Sequence, residues 1–147
     1  MTTASAWITA LLLAYPSAAH RVCIQHQRQQ IAADAEEAAH RHGIPVAMLM
    51  SVAFLESHLG CNPRSGGCWG APIDRDHRHT AGRAEQTASA LALGVRRCGT
   101  DERAINHFRW GTCRRTRRAH GYGPESVFRV AERVARYMTV GVGLAHR

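Results

Sequence analysis

Apolar residues recur along five segments of the chain at the spacing of an amphipathic α-helix. The predicted helices cover residues 31–41, 45–58 and 83–97, then a fourth segment capped by Thr100 and a fifth opened by Pro124. No segment shows the clean alternation of a half-buried strand. The pattern therefore predicts a mainly α fold.

Between the second and third predicted helices the helical period is lost. Gly60 is expected to cap the second helix, and residues 61–82 are then rich in Gly, Pro, Asp, Arg and His. This composition predicts a long loop or a small hairpin, and loops of this length inside a compact domain are usually functional. The length of the chain suits one domain, expected over residues 20–147.

Residues 1–19 contain the apolar run AWITALLLAYPSAA, which ends in small residues as an export signal does. The run is short for a transmembrane helix, so no stable membrane span is expected. No basic residue precedes the run, and the alternative interpretation is an ordinary buried first helix. Both interpretations stay open from sequence.

The five cysteines suggest an oxidising compartment. Cys61 and Cys68 flank a tight turn, and Cys98 and Cys113 bracket one short helix, so the sequence predicts these two disulfides with Cys23 unpaired. The alternative is metal binding together with the segment DRDHRHT. That alternative ranks lower because the chain has neither a CxxC pair nor an HExxH motif. We expect neither metal nor cofactor.

The formal net charge is +8, and all 19 basic residues other than histidine are arginines. A bias towards arginine is most simply genomic composition, but a basic surface still favours anionic partners. These include nucleic acid, acidic lipid and acidic wall polymers. The run RRTRR at residues 114–118 is the best argument for nucleic acid. Scattered arginines, paired cysteines and an export signal favour a wall polymer instead.

Glu56 is an acid at the end of an apolar helix, on the same predicted face as Leu49 and Val52. Burial and the helix dipole both disfavour a negative charge there. A carboxyl group held neutral in this way suits a general acid. The alternative is a surface glutamate, whose charge a nearby arginine such as Arg64 or Arg75 would stabilise.

The order of motifs around Glu56 resembles the lytic transglycosylases of the lysozyme-like superfamily. PVAMLMSVAFLES resembles their proline-started helix ending in Glu-Ser, which places Glu56 and Ser57 in that dipeptide. SGGCWG at residues 65–70 stands where the family has a Ser- and Gly-containing loop. AINHFRWG at residues 104–111 resembles the family's Ala-Leu-x-x-Tyr-Asn-x-Gly turn. The resemblance covers residues 31–138 and implies a single lysozyme-like domain of about five helices.

Three family features are replaced in this chain. GAPI at residues 70–73 stands where the family has Gly-Leu-Met-Gln, so the glutamine is absent. Phe108 occupies the family's tyrosine position and Arg109 its asparagine position. These departures leave either a divergent enzyme or a non-catalytic protein that binds the wall.

The resemblance implies cleavage of the β-1,4 bond between N-acetylmuramic acid and N-acetylglucosamine in peptidoglycan. Glu56 would protonate the glycosidic oxygen and then act as base on the muramyl 6-hydroxyl, which closes a 1,6-anhydro ring. Most glycosidases use two carboxylates. If Asp74 or Asp76 supplies a second one, the protein would be a hydrolysing lysozyme, and this alternative stays open.

The resemblance also implies a set of substrate contacts around Glu56. The residues are Ser57, Ser65, Trp69, Gly70, Phe108, Arg109 and Tyr122. The rings of Trp69 and Phe108 are expected to stack on sugars, although core packing is an equal alternative for Phe108. The expected partner is the peptidoglycan glycan strand rather than nucleic acid. We expect an exported monomer, whether a cell, a phage or a secretion apparatus supplies it.

Overall fold

The computed structural model describes residues 2–65, 69–71, 80–116 and 119–145, with the side chains of residues 80–82 and 139–145 left out. Within these ranges the chain forms seven α-helices and no strand, which confirms the mainly α fold. The helices are α1 Thr3–Ala14, α2 Arg21–His26, α3 Arg28–His42, α4 Val46–Ser57, α5 Thr80–Cys98, α6 Asp101–Trp110 and α7 Pro124–Ala145.

The five predicted helices correspond to α3 through α7, and two further helices, α1 and α2, precede them. A single 3₁₀ turn, Pro63–Ser65, follows α4. The predicted hairpin falls largely on residues 66–68 and 72–79, which lie outside the described residues. In the described part of this loop the chain forms only turns.

Helix α4 is the central helix of the domain, in contact with α1, α3, α5 and α7. Up to Leu55 its residues are apolar on every side except at Ser51, and Met50 and Ala53 are as fully buried as Leu49. A helix that is apolar all round is stable only when other helices cover it. Glu56 lies in its last turn, where the helix leaves the core.

Helix α1 packs on α7 and α3, and its Trp7, Ile8 and Leu11 are almost completely buried. The Ala4 N–H donates to Glu36 Oε2 at 2.8 Å, which ties the start of α1 to α3. The structure thus has α1 as a buried helix of the domain, and cleavage of residues 1–19 on export stays a prediction. No helix in the described ranges is both long and apolar enough to cross a bilayer.

Helices α5 and α6 cross closely because Gly94 has no side chain. A Cβ atom at Gly94 would lie 2.9 Å from the carbonyl oxygen of Ala104, closer than a real Cβ packs. The hydroxyl of Thr100 accepts from the Arg103 N–H at 3.2 Å and caps α6, as its sequence predicts. This close crossing fixes the position of α6, which carries two residues of the candidate site.

One predicted disulfide is confirmed and the other is wrong. Cys98 bonds to Cys113 as expected, with Cα atoms 5.4 Å apart. Cys61 bonds to Cys23, not to Cys68, with Cα atoms 5.8 Å apart. The unpredicted helix α2 explains the difference, because it carries Cys23 to the turn after α4. Cys68 lies outside the described residues.

The two disulfides are expected to differ in their contribution to stability because they close loops of different length. Their sequence separations are 38 for Cys23–Cys61 and 15 for Cys98–Cys113. From loop-closure entropy we expect the free energy of unfolding to fall by about 4 kcal/mol when both cysteines of Cys23–Cys61 are changed to Ser, and by about 3 kcal/mol for Cys98–Cys113. Urea unfolding of the two variants measures both decreases. A native Cys61–Cys68 peptide in non-reducing mapping would contradict this pairing.

Candidate active site

A tight reversal of the chain presents Glu56 at the surface. His58, Leu59 and Gly60 follow α4 with φ angles of 49°, 58° and 82°, all in the left-handed region. The residue that caps α4 is His58 rather than the predicted Gly60. The side chain of Glu56 is 20% exposed, so its carboxylate is reachable from solvent while its stem is packed.

Ser57 secures this reversal. Its hydroxyl donates to the Ala53 carbonyl at 3.3 Å and accepts from the Gly60 N–H at 2.9 Å, and the residue is 1% exposed. Its hydroxyl is therefore used by the helix end and is covered by protein. The structure does not place Ser57 as a contact for a sugar.

Arg109 forms an ion pair with Glu56, with 3.2 Å between its Nη1 and Glu56 Oε1. Its Nε donates to the Tyr122 carbonyl at 3.2 Å, and its Nη2 donates to the His120 carbonyl at 3.4 Å. The guanidinium also lies over the Tyr122 ring, 4.1 Å from the ring centre. These four interactions hold the cation in one position.

Gly121 makes room for that cation. Its φ angle is +78°, and a Cβ atom there would lie 2.6 Å from Arg109 Nη2. Both the backbone conformation and the close approach favour glycine at this position. The backbone before α7 thus leaves space for the guanidinium of Arg109.

Tyr122 donates a hydrogen bond from its hydroxyl to Glu56 Oε1, the same oxygen that Arg109 contacts. Burial raises the pKa of Tyr122 far above its usual range, and the hydrogen bond and negative charge of Glu56 raise it further, against a smaller opposing effect of Arg109. Tyr122 therefore remains a donor. Among the described residues, none donates to Glu56 Oε2.

The ion pair gives Glu56 a cationic partner that the helix pattern does not report. The cation is Arg109, not the sequence neighbours Arg64 or Arg75, and Arg75 lies outside the described residues. The two partners are 53 residues apart, so no local pattern reports their contact. The motif resemblance does place Arg109 in the site, although as a substrate contact.

Gly70 and Phe108 lie directly beside the carboxylate. A Cβ atom at Gly70 would lie 2.8 Å from both Glu56 Cγ and Phe108 Cζ. Its φ angle of +121° is also one that side chains rarely adopt. Phe108 is partly buried and packs against the core. The structure therefore brings these two predicted site residues together with Glu56, Arg109 and Tyr122.

Two other predicted contacts are engaged within the protein itself. Trp69 is 0% exposed in the core, so its ring faces are covered and the expected sugar stacking does not fit this position. The Ser65 hydroxyl donates to the Asn62 carbonyl at 2.6 Å in the 3₁₀ turn after α4. The possible second carboxylates, Asp74 and Asp76, lie outside the described residues.

No family model matches the chain, and neither a curated protein nor a solved structure matches it. The likeness to lytic transglycosylases therefore rests on its motifs alone. In the part of the chain that the structure describes, no group of three or more His, Cys, Asp or Glu side chains is arranged to hold a metal ion.

A double-mutant cycle with Glu56→Gln and Arg109→Gln tests the ion pair. The pair is about one-fifth exposed and hydrogen-bonded, so we expect a coupling of about 1 to 2 kcal/mol in the free energy of unfolding at pH 7. The matched control is Arg115–Glu125, which has the same 3.2 Å separation but is more than half exposed. Its coupling should be about 0.5 kcal/mol or less. Equal couplings would contradict a partly desolvated Glu56 pair.

Proposed function

We propose that the protein is a peptidoglycan lytic transglycosylase in which Glu56 is the general acid and base. The observation that carries the proposal is the asymmetry of the carboxylate. Oε1 is held by Arg109 and Tyr122, while Oε2 has no donor among the described residues. One fixed oxygen and one open oxygen allow a carboxyl group to pass a proton to a substrate without reorienting.

In the first step the proton on Oε2 passes to the glycosidic oxygen as the bond from the muramyl C1 breaks. N-acetylglucosamine then leaves with a hydroxyl group, and Glu56 becomes a carboxylate that Arg109 stabilises. In the second step Glu56 takes the proton of the muramyl 6-hydroxyl, whose oxygen bonds to C1 and closes the anhydro ring. The acid is regenerated and no water is consumed.

Two further features support the proposal. Phe108 is partly exposed and lies near Glu56, and pyranose rings pack on apolar surfaces. The two disulfides suit export to the oxidising space where peptidoglycan lies.

The second candidate is a non-catalytic protein that binds the wall. The observation that favours it is the ion pair itself, because Glu56 and Arg109 hold each other in position at the surface. In that case Glu56 would position Arg109 for binding rather than exchange a proton. The two candidates differ in whether removal of the Glu56 carboxyl group abolishes turnover.

Glu56→Gln keeps the shape of the side chain but cannot exchange a proton. We expect the rate of turbidity loss of purified sacculi to fall by about 100-fold or more, as when an essential general acid and base is removed. Glu102→Gln is the matched control, because Glu102 is an exposed acid in the first turn of α6, and its rate should equal that of wild type. Equal clearance by Glu56→Gln would exclude the catalytic role.

The rate of turnover tests the electrostatic role of Arg109. In the first step Glu56 becomes a carboxylate that the Arg109 guanidinium stabilises, so Arg109→Gln should lower the rate by about tenfold or more. Arg103→Gln, an exposed arginine of the same helix, is the control and should turn over at the wild-type rate. Equal rates in Arg109→Gln and wild type would contradict this electrostatic role.

A further inference from the structure

Trp110 is an aromatic residue next to the candidate site that the sequence did not assign to substrate binding. The chain has three tryptophans, and Trp7 and Trp69 are 2% and 0% exposed in the core. Trp110, the last residue of α6, is partly exposed. It is therefore the tryptophan whose ring can meet a ligand, which is the role that the sequence gave to Trp69.

A shared hydrogen-bond acceptor links Trp110 to the site. The indole Nε1 and the Arg109 Nη2 each donate to the His120 carbonyl oxygen at 3.4 Å. Arg109 in turn contacts Glu56 Oε1 through its Nη1 at 3.2 Å. The indole is thus separated from the carboxylate by one carbonyl group and one guanidinium group. A glycan strand that lies across Glu56 would reach the ring with its neighbouring sugar residues.

The Trp110 ring is held in place from three sides. Besides the hydrogen bond at Nε1, its Cη2 atom lies beside Gly123, where a Cβ atom would come within 3.1 Å of it. The Arg115 guanidinium stands over the ring at 5.7 Å from its centre. Because the Arg115 side chain is 55% exposed, this face of the ring is covered by a solvent-exposed side chain and not by packed core. A ring that is already fixed loses little conformational entropy when it binds a ligand.

The charges beside the ring are paired. Arg115 bonds to Glu125 Oε1 at 3.2 Å, and Glu125 Oε2 lies 3.1 Å from the same Gly123 Cβ position that adjoins the ring. The pair offers N–H donors and carboxylate acceptors at the ring edge, and a sugar hydroxyl group both donates and accepts. A phosphate backbone would meet the carboxylate of Glu125 as well as the cation. The surroundings of the ring therefore favour a ligand rich in hydroxyl groups over a polyanion.

Pyranose rings have apolar C–H faces bordered by hydroxyl groups, which match an aromatic ring bordered by an ion pair. We infer that Trp110 is a sugar-binding residue that stacks on an N-acetylated hexose of the glycan strand, beyond the sugar residues at Glu56. The choice of glycan rests on the proposed function. Trp110 lies away from the bond that breaks, so it contributes binding that substrate and transition state share.

Tryptophan fluorescence measures this contact directly, because Trp7 and Trp69 are buried. Acrylamide quenching is measured on the Glu56→Gln protein, which should not turn the ligand over, with and without a ligand. The ligand is a peptide-free tetrasaccharide of alternating N-acetylglucosamine and N-acetylmuramic acid. At saturation it should lower the quenching constant by about twofold or more, since the stacked sugar covers the indole. Unchanged quenching at saturation would overturn the inference.

Substitutions in the same Glu56→Gln protein test the ring by calorimetry. We expect Trp110→Leu, which lacks a ring, to bind the tetrasaccharide about tenfold more weakly, and Trp110→Phe, which keeps one, to bind within about threefold of the parent. Tyr137→Leu is the control and should bind as the parent does, because Tyr137 is a 39% exposed aromatic residue about three turns beyond Glu125 on α7. Circular dichroism checks folding, and the quenching measurement needs no substitution of Trp110.

Two results of these measurements would assign the ring differently. Equal affinities of Trp110→Leu and the parent, or no binding by the parent, would overturn the sugar-binding role. So would a thymidine oligonucleotide that protects the indole from acrylamide where the tetrasaccharide does not, since bases also stack on aromatic rings and that result would assign the ring to nucleic acid.

Turnover of peptide-free glycan by protein that retains Glu56 separates this inference from the proposed function. Trp110→Leu should raise KM about tenfold with a smaller effect on kcat, because the lost binding is shared by substrate and transition state. If the wild type cleaves no glycan but the binding that depends on Trp110 is present, the proposed activity fails and the sugar-binding role stands. If Trp110→Leu cleaves glycan with the wild-type KM, the sugar-binding role fails alone.

Discussion

A partly buried carboxylate needs partners, and the partners of Glu56 tie three parts of the chain together. Arg109 comes from α6, Tyr122 from the segment before α7, and both bond to one oxygen of a side chain at the end of α4. Loss of either donor would leave polar groups short of partners in a packed setting, at a cost of about 1 to 3 kcal/mol. The same contacts leave the second oxygen of Glu56 open, so one arrangement supports both the fold and the proposed chemistry.

The covalent and close-packed features of the fold lie next to these contacts. Cys61 follows the helix that carries Glu56, and Cys113 follows the helix that carries Arg109, so each of these helices is followed by a disulfide. Gly94 allows α6 to approach α5, and Gly121 allows the guanidinium to lie against the backbone. Together these disulfides and glycines restrict movement of α6 relative to α4. The ion pair between Arg109 and Glu56, at 3.2 Å, requires that the two helices stay in place.

Helices α3 to α7 could be predicted from their period, and α4, α6 and α7 begin at or next to the predicted start residues Pro45, Thr100 and Pro124. Helix α2 could not, because it is six residues long and only Ile24 is buried in it. Because α2 was not predicted, the predicted partner of Cys61 was also wrong. Cys68 is the nearest cysteine in sequence, whereas the partner in space is Cys23. Short local patterns do not report which separate segments meet.

The same holds for the candidate site: single residues could be found from the sequence, but their contacts could not. Glu56 stood out because an acid at the end of an apolar helix breaks the pattern, and its contacts with Gly70, Phe108, Arg109 and Tyr122 were anticipated only as a set of motif positions. Arg109 and Tyr122 reach the carboxylate itself because α5 and α7 pack against both α4 and α6. The burial of Trp69 likewise follows from tertiary packing, since a tryptophan in a Gly-rich segment has no periodic signal.

The proposed chemistry leaves a product that differs from that of hydrolysis. Closure of the muramyl 6-oxygen onto C1 gives a glycan end that is lighter by one water than the end made by a lysozyme. The most direct measurement is therefore mass spectrometry of purified peptidoglycan after digestion by the wild-type protein. Our account predicts 1,6-anhydromuramyl ends. Reducing muramyl ends, or glycan that remains uncut, would contradict it.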